Sequence, residues 1–178
     1  KEVLRIGYFG LLRCHRSWEI LKRAAIRGNG RIQIYVRGMP IKLENFENDV
    51  QSTPHINYGG KYVSPDDLPV MYEQVDIVWC ASFFFENPLL PLHLCNRFYE
   101  ACFFGRPVLA HYGGQECRLV KTFDIGICLN HADFDSAVDR ILNINEVELA
   151  QWQENVAQLD KSVYCYTDEH EKLIKFIE

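Results

Sequence analysis

No stretch of these 178 residues approaches the roughly 18 consecutive apolar positions that a membrane-spanning helix needs; the longest apolar fragments are the size of Ala81 to Phe85. Positive charge is not in excess either. The 19 Lys and Arg against 24 Asp and Glu leave a net charge of −5, which disfavours broad contact with a phosphate backbone but leaves room for a small anion at a local basic cluster. No nucleic-acid partner is expected. The seven cysteines, Cys14, Cys80, Cys95, Cys102, Cys117, Cys128 and Cys165, form no C-x-x-C pair and lie mostly in apolar segments. Their odd number and surroundings predict buried free thiols in a reducing cytoplasm rather than disulfides or zinc. The G-x-G-x-x-G dinucleotide fingerprint and the P-loop spacing are both missing, as are internal repeats and low-complexity tracts. The chain starts at Lys1 and is expected to enter its first strand almost at once with no signal peptide in front, and it reads as a piece of something longer.

What is present is an ordinary globular composition, 48% hydrophobic and 24% charged. At this length a single core is expected, so residues 1–178 are read as one domain, its last helices spanning about 147–178. Val3 to Phe9, Ile32 to Val36, Ile56 to Tyr58, Val75 to Ser82, Pro107 to Tyr112 and Ile125 to Leu129 carry strand signals. Between them, Ser17 to Ala25, Leu43 to Val50, Ser64 to Gln74, Pro91 to Phe104 and Gln115 to Phe123 read as helices. Three more follow, at Phe134 to Ile144, Val147 to Leu159 and Glu169 to Ile177. Ser64-Pro65-Asp66-Asp67 looks like a helix start, because Ser64 can cap and Pro65 needs no amide bond there. Val75 to Ser82 is almost continuously apolar, as in a parallel strand buried on both faces. Such alternation predicts an α/β fold, a Rossmann-like parallel sheet flanked by helices, with ligands bound at the carboxyl ends of its strands.

Two segments at that edge have the chemistry of a binding site. FGLLRCHRS places Arg13, His15 and Arg16 beside the amides of a helix start, which makes either an anion site or a solvated basic loop. In NRFYEACFFGRPVLA, Arg97 and Glu100 are three residues apart and could form a surface ion pair worth about 0.3 kcal/mol. Apolar residues surround them on most of the helix, however, and a carboxylate near the start of such a helix is placed to accept hydrogen bonds from paired hydroxyls. Asn96 would face the same side. The histidines His55, His93, His111, His131 and His170 show no ligand spacing, so no metal is expected. Ser82 lacks the glycines of a nucleophile elbow, and Asp76 before its strand is expected to face a helix end.

NRFYEACFFGRPVLAHYGGQE resembles the nucleotide-sugar-binding segment of GT-B glycosyltransferases, where a helix with a basic residue and a Glu leads through Gly-x-Pro-Val into the next strand. GLLRCHRSWEIL, IYVRGMP and GGKYVSPDDLPVMYEQVDIVWCAS resemble the preceding motifs in the same order, so the likeness covers about Val3 to Asn130. It implies the C-terminal half of such an enzyme, the half that binds a nucleoside diphosphate sugar, with the N-terminal acceptor domain outside this chain. By position, Arg16 matches a lysine on the diphosphate, Glu100 the glutamate on the ribose, Arg97 a basic position and Gly38 a turn beside the base. Arg13 would replace the family arginine that is Leu11 here. Arg13, Arg16 and Glu100 would then carry the transfer, and Gly10, Gly38, Tyr62, Asn96 and Arg97 would complete the donor site. The first of the family's two glutamates is missing: Leu92 stands eight residues before Glu100, and Glu86 lies farther upstream.

The expected function is transfer of a sugar from a nucleoside diphosphate sugar to a glycan or lipid-linked acceptor in polysaccharide biosynthesis, without a cofactor. The resemblance places the enzyme in the cytoplasm, and allows the full-length protein to associate peripherally with the membrane's inner face. This chain alone should bind donor and turn over little. Two other readings stay open at this stage: a non-catalytic Rossmann-like interaction module, with Phe83-Phe84-Phe85 as its docking segment, and a sugar-nucleotide epimerase of the same architecture.

Overall fold

The first strand, β1 (Leu4–Leu12), alternates its large side chains between the two faces of a sheet: Ile6 and Tyr8 enter one core, Phe9 the other. A strand buried on both sides needs a helix layer on each. The computed structural model, which describes residues 3–83, 94–130, 133–166 and 169–177, supplies both. After β1 come α1 (His15–Gly28), β2 (Ile32–Pro40), α2 (Phe46–Ser52), β3 (Ile56–Tyr58), α3 (Leu68–Glu73) and β4 (Ile77–Trp79). The chain continues through α4 (Asn96–Phe103), β5 (Val108–His111), α5 (Gln115–Phe123) and β6 (Gly126–Leu129). It ends with α6 (Phe134–Leu142), α7 (Glu146–Ala157), a 3-10 turn (Lys161–Val163) and α8 (Glu169–Ile177).

The six strands are parallel in the order β3-β2-β1-β4-β5-β6. Winding therefore runs outward from β1 to β3, returns to β4 beside β1, and continues the other way. Between β1 and β4 the direction reverses, and the loops at their carboxyl ends part to leave a crevice. Trp18 of α1, Phe46 of α2, Val138 of α6 and Trp152 of α7 pack on one face of the sheet. Met71 and Tyr72 of α3, Phe98 of α4 and Val120 of α5 pack on the other. Val156 joins this second layer, so α7 passes from one face to the other.

All six expected strands form, with instructive differences at their ends. β1 and β2 run past their predicted stops because Gly10 and Gly38 face each other in register, both at positive φ (96° and 134°). A side chain at Gly38 would drive its Cβ into the Gly10 carbonyl. Only glycine permits the two strands to approach so closely there. α3 begins at Leu68 rather than Ser64, since the Asp67 carboxylate accepts the Val63 amide at 2.8 Å and holds residues 64–67 as a turn. The Asp76 carboxylate, expected to face a helix end, accepts the Arg5 amide at 2.8 Å, tying the start of β4 to β1. The expectation of free thiols throughout is also corrected. Cys117 and Cys128 are joined in a disulfide, because the left-handed turn at Asp124 (φ 49°) folds β6 back along α5 and brings their Cα atoms within 5.4 Å. Cys14, Cys80, Cys95, Cys102 and Cys165 are free. Phe84, Phe85, Glu86, Pro91, Leu92, His93 and His131 lie outside the described residues.

Candidate functional site

The reversal point holds a crevice of about 390 Å³. β1 and its loop contribute Tyr8, Phe9, Gly10, Leu11, Arg13 and Cys14; Tyr62 and Ser64 come from the segment after β3. Cys80 and Ser82 follow β4, and the start of α4 supplies Cys95, Asn96, Arg97 and Glu100. His111, Gly114 and Glu116 close the side toward α5. Apart from Tyr8 and Phe9, which lie within β1, these positions are at or beyond the strands' carboxyl ends, as the parallel topology requires.

Six expected site residues are brought together here: Gly10, Arg13, Tyr62, Asn96, Arg97 and Glu100. Two are not. Arg16, exposed on the first turn of α1, carries its guanidinium 5.9 Å above the Phe134 ring of α6. Gly38 lies against Gly10 within the sheet, and its carbonyl accepts the Tyr58 hydroxyl at 2.8 Å. Its close fit serves strand pairing rather than the crevice wall.

Arg97 is not a solvated surface charge. Its Nη1 donates to the Phe9 carbonyl at 2.8 Å, and its guanidinium sits 5.2 Å from the Tyr8 ring centre. Burial works against the charge, but Cys95, Tyr8 and Cys80 beside it more than offset this and hold its pKa above the usual arginine value. A permanent positive charge is thus fixed in the crevice wall, where water screens it poorly. Arg13 adds a second, solvent-exposed guanidinium. Together they provide the positive field that an anionic group requires.

Glu100 accepts the Tyr72 hydroxyl on Oε2 at 2.7 Å. The Tyr72 ring is fully buried, stacked on Phe104 with centroids 4.9 Å apart and set edge-on to Phe9 at 5.1 Å. Burial first, and then the adjacent Glu100 charge, push the Tyr72 hydroxyl far above the ordinary tyrosine value, so it remains a donor. Tyr62 on the opposite wall is shifted up for the same two reasons. These contacts set Glu100 as a half-exposed acceptor, one oxygen held from behind.

Several wall residues went unrecognised in the sequence. Glu116, 8% exposed on the first turn of α5, accepts the Cys95 amide on Oε1 at 3.0 Å. A carboxylate therefore already faces the positive end of α4. The Cys95 thiol approaches the Cys80 carbonyl at 3.8 Å. Cys80 is pushed up by burial, whereas the hydrogen bond from Cys80 lowers Cys95, with Arg97 acting in the same direction. Tyr72 lies 28 residues from Glu100, and no local spacing announces their contact. Among the described residues, no group of three or more His, Cys, Asp and Glu side chains is arranged to hold a metal ion. No helix among those residues is long and apolar enough to cross a membrane.

No protein-family profile matches the chain. It is 35% identical over 134 residues to the succinoglycan biosynthesis protein ExoL of Rhizobium meliloti (strain 1021), a match covering 74% of this chain and 33% of that protein. Its fold is similar to HepE of Anabaena, solved with UDP and glucose, at a TM-score of 0.68 and 16% identity over 92% of this chain and 44% of that one. A TarM structure from S. aureus with UDP bound gives 0.69 at 15% identity, covering 98% of this chain and 35% of TarM. WaaG, a glycosyltransferase of lipopolysaccharide biosynthesis, gives 0.58 at 15% identity, covering 92% of this chain and 45% of WaaG. The chain thus spans between a third and a half of the length of the proteins it resembles. Six parallel strands in this order, matched across nine-tenths of the chain, give it the Rossmann-like fold of one part of the GT-B glycosyltransferases.

Proposed function

We propose that this chain is the donor-binding unit of a glycosyltransferase that moves a sugar from a nucleoside diphosphate sugar to a glycan or lipid-linked acceptor. The observation that carries the reading is the joint placement of Glu100, Arg97 and Arg13 around one crevice at the sheet's reversal point. Glu100 accepts hydroxyls of the ribose, while Arg97 and Arg13 face the diphosphate. As the bond to the sugar breaks, negative charge accumulates on the departing diphosphate, and guanidinium groups already in place stabilise it without reorganisation. Arg16 stands outside the crevice wall, which makes Arg13 and Arg97 the better pair for this role. The acceptor binds to a further part of a longer protein, the C-terminal donor half being the part represented here. The likeness to ExoL favours polysaccharide biosynthesis as its setting, with a cytoplasmic nucleotide sugar as donor.

Isothermal titration calorimetry with UDP, GDP and ADP sugars tests this reading. One of them should bind, and Glu100→Ala should weaken that binding at least about tenfold, the loss of a charge-assisted hydrogen bond. Binding to none, or binding indifferent to Glu100, contradicts it. Interconversion of the donor sugar without any acceptor would point instead to an epimerase.

A further inference from the structure

Glu100 has two carboxylate oxygens, and they do not have the same surroundings. Oε2 receives the Tyr72 hydroxyl at 2.7 Å, from behind the crevice wall. Among the described residues, no other side chain is hydrogen-bonded to this carboxylate. Glu100 lines the crevice and Tyr72 does not. A free glutamate at a helix surface samples several rotamers, and each costs binding energy when only one reaches the ligand. Tyr72 is a different kind of group. Its ring is clamped between Phe104 and Phe9 and fully excluded from solvent, so its hydroxyl has a fixed position.

We infer that Tyr72 is a positioning residue for Glu100: by donating to Oε2 from within the core it holds the carboxylate in one orientation at the crevice wall, and so sharpens its selection of a ribose hydroxyl over its absence. This rests on the proposed donor site and adds how that site distinguishes ribonucleotides.

The test is calorimetry on the whole chain with UDP, GDP and ADP and with their 2′,3′-dideoxy counterparts, for the wild type, Tyr72→Phe and Glu100→Asp. Tyr72→Phe keeps the buried ring and deletes only the hydroxyl. It should weaken the ribonucleotide that binds best about tenfold and its dideoxy counterpart less than about twofold, the signature of a lost specific interaction rather than of a disturbed fold. Glu100→Asp, which keeps the charge but is too short to reach Tyr72 and the crevice together, should lose the same discrimination. Equal weakening of both nucleotides, or undiminished discrimination in either variant, overturns the role of Tyr72 while leaving the donor site intact. Failure of the wild type to bind any of the three nucleotides overturns both. Should Tyr72→Phe fail to fold, Phe104→Leu, which removes the ring stacked on Tyr72, decides instead: a lowered preference for ribose supports the role and an unchanged one overturns it.

Discussion

Arg97 shows why spacing alone does not decide between a surface ion pair and a site residue. Three positions before Glu100 it has the spacing of an exposed helix pair, yet it turns away to the Phe9 carbonyl and the Tyr8 ring. Replacing it by methionine leaves that buried carbonyl without its donor and removes the charge from the crevice. The expected cost is about 2 kcal/mol of stability, read as a lower urea midpoint at unchanged slope, together with loss of nucleotide binding. Arg97→Lys should recover part of the stability and little of the binding, since an ammonium cannot reproduce the planar fork. Placement was legible where it follows from the sheet edge, as for Arg13, Asn96 and Glu100, which line the crevice. It was not where it depends on a contact across the fold: Tyr72 reaches Glu100 over 28 residues, and Glu116 reaches Cys95 over 21.

At the scale of elements, α1 and α2 are joined by one carboxylate. Asp49 accepts the Trp18 indole N–H and the Lys22 ammonium, each at 2.8 Å, on the same oxygen. Burial alone would raise its pKa, but these two donors more than offset this and hold it below the usual aspartate value. A carboxyl depressed in the folded state contributes stability that is present above its unfolded pKa and lost as pH falls through the folded one. Asp49→Asn should therefore lower stability at neutral pH by about 1 kcal/mol and flatten the acid limb of a pH–stability curve, measured by thermal unfolding. The β1–β2 pairing offers a second test. Gly38→Ala should cost about 2 kcal/mol or more, because its Cβ meets backbone rather than a side chain that can move aside. The type and order of the elements were legible from periodicity and turn residues, since these are local. Their ends were not: the extension of β2 to Pro40 depends on Gly10 in a neighbouring strand, and the late start of α3 on how Asp67 uses its carboxylate.

For the molecule as a whole, the decisive feature is the reversal of winding between β1 and β4, which gathers residues from the connections after four strands at one crevice. None of those residues would be functional in isolation. A chain that spans only a third to a half of the proteins it resembles should bind donor without completing transfer, and turnover should appear only in the longer protein with its acceptor. The central claim stands or falls on the crevice recognising a nucleoside diphosphate sugar through Glu100. Calorimetric titration of the chain and of its Glu100→Ala variant with UDP, GDP and ADP sugars measures this directly. Saturable one-to-one binding of one of them, weakened at least about tenfold in the variant, is the predicted result. No binding of any, or equal binding by both proteins, would contradict it.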